Sequence, residues 1–194
     1  MLDRATKLGI RPLELLVGLL QPALDEIGKL WEREELTVAH EHRFSSMVET
    51  VVTLVLQRAR EASAVASQPE FLLVNADGNH HTLGLRVVEA FLLSHGRTVL
   101  ALVPGLPAGE VIAQVRALQP KTLGVSVAVP GELEVVKEIA TALADFPPER
   151  RPRFVAGGPA IRAGAQVDPA LGVTVCTELR DLLTDGASDD QAQV

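Results

Sequence analysis

Residues 71–84 read FLLVNADGNHHTLG, and this stretch decides the fold. It begins with an apolar run of strand length and passes into a polar loop that contains the adjacent histidines His80 and His81. The residues that follow, LRVVEAFLLSHG, have the pattern of a helix. An apolar strand, a short loop and a helix form the repeating unit of a parallel sheet that helices cover on both faces. The stretch therefore predicts an α/β fold with two imidazoles at the end of a buried strand.

The same unit recurs along the rest of the chain. Further apolar runs of strand length lie at 98–103, 122–127, 153–158 and 172–176. Helical stretches alternate with these strands and lie at 108–118, 131–144, 159–165 and 178–184. This alternation predicts a flavodoxin-like, doubly wound parallel sheet of five strands. Ligands of such folds bind beyond the carboxyl ends of the strands, where the strand order reverses. We expect the histidine loop at that edge, because it follows the first strand.

The beginning of the chain has a helical period instead. Pro12 suits the first turn of a helix, Pro22 is expected to kink that helix, and Thr37 is expected to cap a second one. A shorter helix is predicted over 2–8. The two longer helices each present one apolar face, formed by Leu13, Leu16, Val17, Leu20, Leu24, Ile27 and Leu30 in the first and by Val48, Val51, Val52, Val55 and Leu56 in the second.

A change in composition separates these two regions. The stretch EASAVASQPE, at residues 61–70, is small, polar and proline-containing, as linkers are. We therefore predict a helical-bundle cap over 1–66 and a Rossmann-like domain over 67–186. The last residues, 187–194, are predicted to form a disordered tail.

Composition and charge exclude several classes of protein. The 194 residues carry a net charge of −7, and no basic run offers a surface for nucleic acid. No apolar run reaches the roughly 18 residues of a membrane span. Cys176 is the only cysteine, which excludes an internal disulfide framework and predicts a reducing, cytoplasmic location. Because it lies in an apolar run, we expect a buried structural thiol.

The histidine pair allows two interpretations. Two imidazoles in a loop are most simply exposed side chains, yet a neutral imidazole is also a good ligand for cobalt, iron, zinc or nickel. A zinc ion would need more ligands than this loop offers. Gly84, at the start of the helix, would let a bulky group approach the backbone. Asn79, two residues before His81, is placed to serve that imidazole's other ring nitrogen.

A helical cap followed by a doubly wound domain with a His-x-x-Gly loop resembles the cobalamin-binding module. Methionine synthase, corrinoid methyltransferase partners and cobalamin-dependent photoreceptors share this module. Its loop is Asp-x-His-x-x-Gly, which corresponds here to Asn79, His81 and Gly84. The resemblance implies that cobalamin binds with its own base displaced and that His81 binds cobalt from below.

Two further elements follow the family's order along the chain. Its Ser-x-Leu after the third strand corresponds to Ser126 and Ala128, and its Gly-Gly after the fourth strand corresponds to Gly157 and Gly158. The resemblance implies that these small residues line the slot for the displaced nucleotide tail.

The cap carries a motif of its own. Trp31 is followed after nine residues by Glu41 and His42, a spacing that resembles the cobalamin-dependent light sensors. There the Trp packs over the upper axial group, and the Glu and His line the same pocket. The alternatives are a core aromatic for Trp31 and a solvated first helical turn for the other two residues.

Two positions depart from the family pattern. Asn79 stands where an acid is usual, so the resemblance predicts a less basic axial imidazole. Glu32 stands where the light sensors commonly carry a second histidine, which leaves His40 or His42 as substitutes.

The resemblance predicts a stand-alone cobalamin photoreceptor or sensor that signals to a partner protein, rather than an enzyme. It leaves room for a second chromophore such as a bilin, and it leaves homo-oligomerisation open. The alternative is a corrinoid carrier that serves a methyltransferase. A third interpretation, a nucleotide or phosphoacceptor domain, lacks a phosphate-binding glycine loop and an acidic pair.

Overall fold

The computed structural model describes residues 7–62 and 68–184, and the side chains at positions 21, 25, 32, 41 and 62 lie outside the description. Two compact units are found, one formed by Met1–Ala64 with Arg86–Gly96 and the other by Val65–Leu85 with Arg97–Val194. The predicted boundary at residue 66 and the predicted tail fall outside the described residues, so both stay predictions. Among the helices of the described ranges, none combines the length and apolar character needed to cross a membrane.

The first unit is helical. Helix α1 (Pro12–Leu15) leads through a π-helical turn at Leu16–Leu20 into α2 (Gln21–Glu32), and α3 (Val38–Ala62) follows after a short connection. The π-helical turn lies directly before Pro22, which has no N–H to donate to the preceding turn. The predicted interruption of the first helix at Pro22 is thus present in the structure.

The predicted apolar face of α3 is confirmed, whereas that of the first long helix is confirmed only at Leu16 and Leu20. On α3, all five predicted core residues are buried, namely Val48, Val51, Val52, Val55 and Leu56. Near α1 the buried residues are Leu15, Leu16 and Leu20. Thr37 caps α3 as predicted, because its Oγ1 accepts a hydrogen bond from the backbone N–H of His40 at 3.4 Å. The helix predicted over 2–8 falls mainly outside the described residues.

The second unit contains the predicted five-stranded parallel sheet, in the order β2-β1-β3-β4-β5. The strands are β1 (Phe71–Asn75), β2 (Val99–Leu102), β3 (Thr122–Ser126), β4 (Arg153–Gly157) and β5 (Thr174–Cys176). The order reverses between β1 and β3, which pair in register from Phe71 with Thr122 to Asn75 with Ser126. The loops that follow these two strands are therefore neighbours at the switch point.

The connecting elements follow the predicted alternation, with shorter pieces near the end. They are α4 (Thr82–Ser94), α5 (Ala108–Leu118), α6 (Leu133–Ala144) and α7 (Pro159–Arg162), with 3-10 turns at Pro130–Glu132, Pro148–Arg150, Pro169–Leu171 and Leu179–Leu182. The helix predicted over 159–165 is a single turn, and the one predicted over 178–184 is a 3-10 turn. Gly164, with a φ of +97°, closes the first of these because it adopts a left-handed conformation.

The core of the second unit explains the continuous apolar runs. Alternate residues of β1, Leu72 and Val74, pack in one buried cluster with β3, β4, α5 and α6. The helices contribute Val111, Val115, Val136, Ile139 and Leu143, each of them buried. All five residues of β1 are buried, as expected for an inner strand of a parallel sheet.

One ion pair holds α3 and α4 together within the helical unit. The carboxylate of Glu89 is 2% exposed, and it accepts hydrogen bonds from Nε of Arg60 at 3.0 Å and from Nη2 of the same side chain. The Arg60 side chain is 60% exposed, so water screens part of the interaction. A buried carboxylate is costly without donors, so this pair constrains how the two helices meet.

We predict that Arg60→Met lowers the free energy of unfolding by about 2 kcal/mol, because it removes two N–H donors from the buried Glu89 carboxylate. Urea unfolding followed by circular dichroism measures the change. Lys137→Met is the matched control, since it removes the cation of an exposed pair with Glu134 and is expected to cost less than about 0.5 kcal/mol. Equal losses in the two variants would contradict a buried role for Glu89.

Candidate functional site

The candidate site is built on the loop between β1 and α4. Its backbone turns tightly, with the N–H of Asn79 donating to the carbonyl of Ala76 at 3.0 Å and that of Thr82 donating to the carbonyl of His80 at 2.9 Å. His80 and His81 are both exposed, whereas Asn79 between them and the strand is 1% exposed. The loop thus exposes both imidazoles, whereas Asn79 at its base is buried.

The side chain of Asn79 fixes this loop through three hydrogen bonds. Its Oδ1 accepts from the backbone N–H of His81 at 2.8 Å, and its Nδ2 donates to the carbonyl of Ser126 and to Oε2 of Glu132, each at 3.1 Å. The first bond closes an Asx turn that holds the backbone locally, and the other two tie the loop to the end of β3. Asn79 therefore sets the backbone position of His81.

The role of Asn79 differs in detail from the one expected from sequence. The sequence predicts Asn79 beside the imidazole of His81, in the place of an acid. In the structure its amide bonds to the backbone of His81 instead. The reason is local, because an amide oxygen two residues before a backbone N–H closes a favoured turn.

Sequence reasoning missed Glu132, the other partner of Asn79. This residue is 9% exposed, and its Oε2 also accepts from the backbone N–H of Ala128 at 2.7 Å. Glu132 and Asn79 are 53 positions apart in sequence, so no local periodicity connects them. The available signal was an acid in the turn after β3, at the edge where the switch point lies.

Sequence reasoning also missed the loop after β2, which supports the histidine loop from behind. The N–H of Gly105 donates to the carbonyl of Asn79 at 3.3 Å, and the N–H of Leu106 donates to that of Asn75 at 3.4 Å. A Cβ at Gly105 would lie 2.1 Å from the carbonyl oxygen of Ala76, so only glycine allows the two loops to approach this closely. The Pro- and Gly-rich run VPGLPAG was the signal for this contact.

Gly157 and Gly158 are accounted for by contacts within the protein. A Cβ at Gly158 would lie 2.5 Å from the carbonyl oxygen of Val127, and the residue has a φ of +114°, where side chains are strained. A Cβ at Gly157 would lie 2.9 Å from the carbonyl oxygen of Cys176 on the neighbouring strand. Both glycines permit close backbone packing at the carboxyl edge of the sheet.

Gly84 behaves differently from these glycines. It lies in the first turn of α4 and is exposed, and no atom of the described residues beyond its own turn lies within 4 Å of a Cβ built on it. A glycine in a helix costs about 1 kcal/mol relative to alanine. Because none of these contacts requires glycine, the space around a Cβ at this position is open.

The remaining predicted site residues of the second unit lie at the same edge. Ser126 is the last residue of β3 and is half-buried, and its carbonyl also accepts from the N–H of Ala76 at 3.0 Å. Ala128, also half-buried, donates its N–H to Glu132. The structure thus brings Asn79, His81, Ser126 and Ala128 into one hydrogen-bonded group of loops.

Cys176 lies at this edge as well, with the character of an unreactive thiol. Burial, followed by the nearby charge of Asp181, raises the pKa of the Cys176 thiol above its ordinary value. Its Sγ donates to the carbonyl of Glu178 at 3.0 Å. Cys176 is only half-buried, so the burial predicted for it is incomplete, while its raised pKa is the opposite of what nucleophilic cysteines need.

In the helical unit, Trp31 lies in the last turn of α2, and Glu41 and His42 lie near the start of α3. Trp31 is 47% exposed, so it is not a core residue of this unit. His42 is exposed, and the side chain of Glu41 lies outside the described residues. The short connection between α2 and α3 brings these positions to one end of the helix pair, as predicted.

The metal-binding side chains of the described residues suit a metal already held within a cofactor better than a free metal ion. Within the described ranges, no three His, Cys, Asp or Glu side chains lie together as a metal site. An isolated, exposed imidazole supplies one ligand, whereas protein-held zinc takes three or four. His81 therefore offers one nitrogen ligand to a metal whose other ligands come from elsewhere, as in a macrocyclic cofactor.

We predict that Gly158→Ala lowers the free energy of unfolding by about 3 kcal/mol, because the new Cβ meets the backbone of Val127 at an unfavourable φ. Gly84→Ala is the matched control. It is expected to leave stability unchanged or raise it by up to about 1 kcal/mol. Thermal and urea unfolding of the two variants measure both changes, and a large loss in Gly84→Ala would contradict the open space described there.

Comparison with known proteins shows which family and which fold this chain is similar to. Residues 1–56 match the family described as B12 binding domain. The HTH-type transcriptional repressor CarH of Myxococcus xanthus is 30% identical over 164 residues, which cover 84% of this chain and 53% of the repressor. The chain thus spans about half the length of that curated relative.

Among solved structures, the monomethylamine corrinoid protein of Methanosarcina barkeri matches with a TM-score of 0.67 at 15% identity. The match covers 92% of this chain and 84% of that one, and at this identity it shows a common fold. The family match in the helical segment and the similarity to the repressor confirm the predicted resemblance to the cobalamin-binding module, and the corrinoid protein shows that the fold is shared over nearly the whole chain.

Proposed function

We propose that this chain binds cobalamin with His81 as the lower axial ligand of cobalt and acts as a light sensor. The single observation that supports the proposal best is the histidine loop itself. An exposed imidazole stands at the switch point, on a backbone that buried hydrogen bonds hold rigid, beside the open space at Gly84. The family match over residues 1–56 supports cobalamin as the molecule that uses it.

Cobalamin would supply a cobalt–carbon bond that light can break. The contribution of the chain is to bind, orient and shield. His81 would donate an imidazole lone pair to cobalt, and the hydrogen bonds of Asn79 would keep the loop backbone in place while His81 is coordinated. Ser126, Ala128, Gly157 and Gly158 are proposed to adjoin the displaced nucleotide tail, since all four lie at the carboxyl edge that carries the histidine loop.

The sensing role is supported by the helical unit. Trp31, Glu41 and His42 keep the spacing of the light sensors, and Trp31 is half exposed rather than packed in a core. We propose that Trp31 packs against the upper axial group and that Glu41 and His42 line the same pocket. Loss of that group would release Trp31, and a partner protein would bind the altered helical surface. A bilin as second chromophore stays a prediction.

The alternative, a corrinoid carrier for a methyltransferase, shares the fold and His81. It is disfavoured by the amide at Asn79, which occupies the place of the usual acid, and by the Trp31 motif. Repeated transfer of a methyl group needs an axial ligand whose basicity is well controlled, and a charged partner is the common means. The light sensor and the corrinoid carrier are expected to differ in their response to light.

We predict that His81→Ala lowers affinity for hydroxocobalamin at least about tenfold and removes the spectral signature of a protein nitrogen on cobalt. Absorption titrations and electron paramagnetic resonance of the reduced, cobalt(II) form measure the two effects. His80→Ala is the matched control, because His80 is also exposed and lies one residue away. If His80→Ala loses the nitrogen signature and His81→Ala keeps it, the axial assignment is wrong.

We predict that the purified protein, saturated with adenosylcobalamin, shows a lasting change in its absorption spectrum after green light. Because light breaks this cobalt–carbon bond in the free cofactor as well, the sensor is distinguished from a carrier by a spectrum that differs, after illumination, from that of free cofactor treated in the same way. Trp31→Ala is expected to weaken binding of adenosylcobalamin about threefold to tenfold while sparing hydroxocobalamin, because only the former presents a large upper group for the indole to cover. Equal loss for both forms would contradict the proposed position of Trp31.

A further inference from the structure

We infer that Glu132 is a positioning residue for the axial imidazole and that Asn79 and Glu132 act as one inseparable pair. This inference rests on the proposed function of His81. Glu132 acts on His81 through Asn79, whose Nδ2 donates to Oε2 of Glu132 at 3.1 Å and whose Oδ1 accepts from the N–H of His81 at 2.8 Å.

The first step is the orientation of the Asn79 amide. Its two N–H protons are committed to two acceptors, the carbonyl of Ser126 and the carboxylate of Glu132. A flipped amide would place Oδ1 against both acceptors, with no proton among the three oxygens. Only the observed orientation is satisfied, so Oδ1 must face the N–H of His81. Glu132 thereby determines which atom of Asn79 meets the histidine loop.

The second step is why Glu132 can stay buried. Its Oε2 has two donors, the N–H of Ala128 at 2.7 Å and Nδ2 of Asn79. A buried carboxylate needs such donors, and each one lost costs more than an exposed hydrogen bond. The same two bonds join the loop after β3 to the loop after β1. The acid and the amide therefore each depend on the other.

The third step concerns position 79. An aspartate there would bring a carboxylate within about 3 Å of the Glu132 carboxylate and of the Ser126 carbonyl, an arrangement in which like charges and acceptors face one another. While Glu132 is present, position 79 has to be a donor. The negative charge of this site thus lies on the loop after β3, one hydrogen bond farther from His81 than an acid at position 79 would place it.

The test uses the full chain with four variants: Glu132→Ala, Glu132→Gln, Asn79→Asp and the double variant Asn79→Asp with Glu132→Gln. Glu134→Ala is the matched control, since Glu134 is exposed and forms its ion pair with Lys137 on the same helix. Three quantities are measured: hydrogen exchange of the His81 amide without cofactor, affinity for hydroxocobalamin, and the axial-nitrogen signal of the cobalt(II) form.

We expect Glu132→Ala to speed exchange of the His81 amide at least about tenfold and to weaken hydroxocobalamin binding about 10- to 100-fold. Glu132→Gln keeps an oxygen that can accept from both Ala128 and Asn79, so its affinity should stay within about threefold of the parent. Asn79→Asp should bind as poorly as Glu132→Ala. The double variant should recover affinity over Asn79→Asp, because it removes one of the two facing carboxylates.

Two results would overturn the inference. One is a Glu132→Ala protein that unfolds more easily yet keeps the exchange rate of His81, the affinity and the nitrogen signal. The other is a double variant no better than Asn79→Asp, which would uncouple the pair. If the unaltered protein binds no cobalamin, the proposed function fails instead, and exchange of the His81 amide still decides whether Glu132 sets the loop.

Discussion

The hydrogen bonds of the Asn79 amide are the constraint on which the site depends. β1 and β3 are neighbours in the sheet, but their following loops would be free to separate without a cross-link. Asn79 joins them through the carbonyl of Ser126 and the carboxylate of Glu132. Each acceptor has a second donor, the N–H of Ala76 for Ser126 and the N–H of Ala128 for Glu132, so losing the amide would remove one of two hydrogen bonds at each, at about 1 kcal/mol for each. The backbone under His81 is rigid for this reason, while its imidazole stays exposed.

The sheet could be predicted because its signals are local. Each strand is a short apolar run closed by a loop, and the order of strands and helices follows from a parallel sheet with right-handed connections. The position of the histidine loop followed from the same reasoning. Glu132 and Gly105 could not be found this way, since their roles arise from contacts with a loop far away in sequence. Only the folded chain brings a carboxylate and an amide 53 positions apart into contact.

The glycines show a second limit of sequence reasoning. The sequence predicts room for a cofactor at Gly84, Gly157 and Gly158 alike. The structure divides them, because backbone atoms already occupy the space beside Gly157 and Gly158, whereas the space beside Gly84 is open. A glycine in sequence states that a side chain is absent, but it does not state what takes its place. The open position is therefore Gly84, whereas Gly157 and Gly158 serve the packing of the backbone at the carboxyl edge of the sheet.

The helical unit likewise shows a difference between the pattern predicted from sequence and the packing in the structure. The apolar face predicted for the first long helix runs from Leu13 to Leu30, yet full burial ends at Leu20. Its later members Leu24, Ile27 and Leu30 are only half-buried, and Trp31 beyond them is 47% exposed. A small helical unit gains most by covering such residues, above all an indole. Full burial in this helix therefore ends before the Trp31 motif, and the apolar face predicted from sequence is only partly a core face.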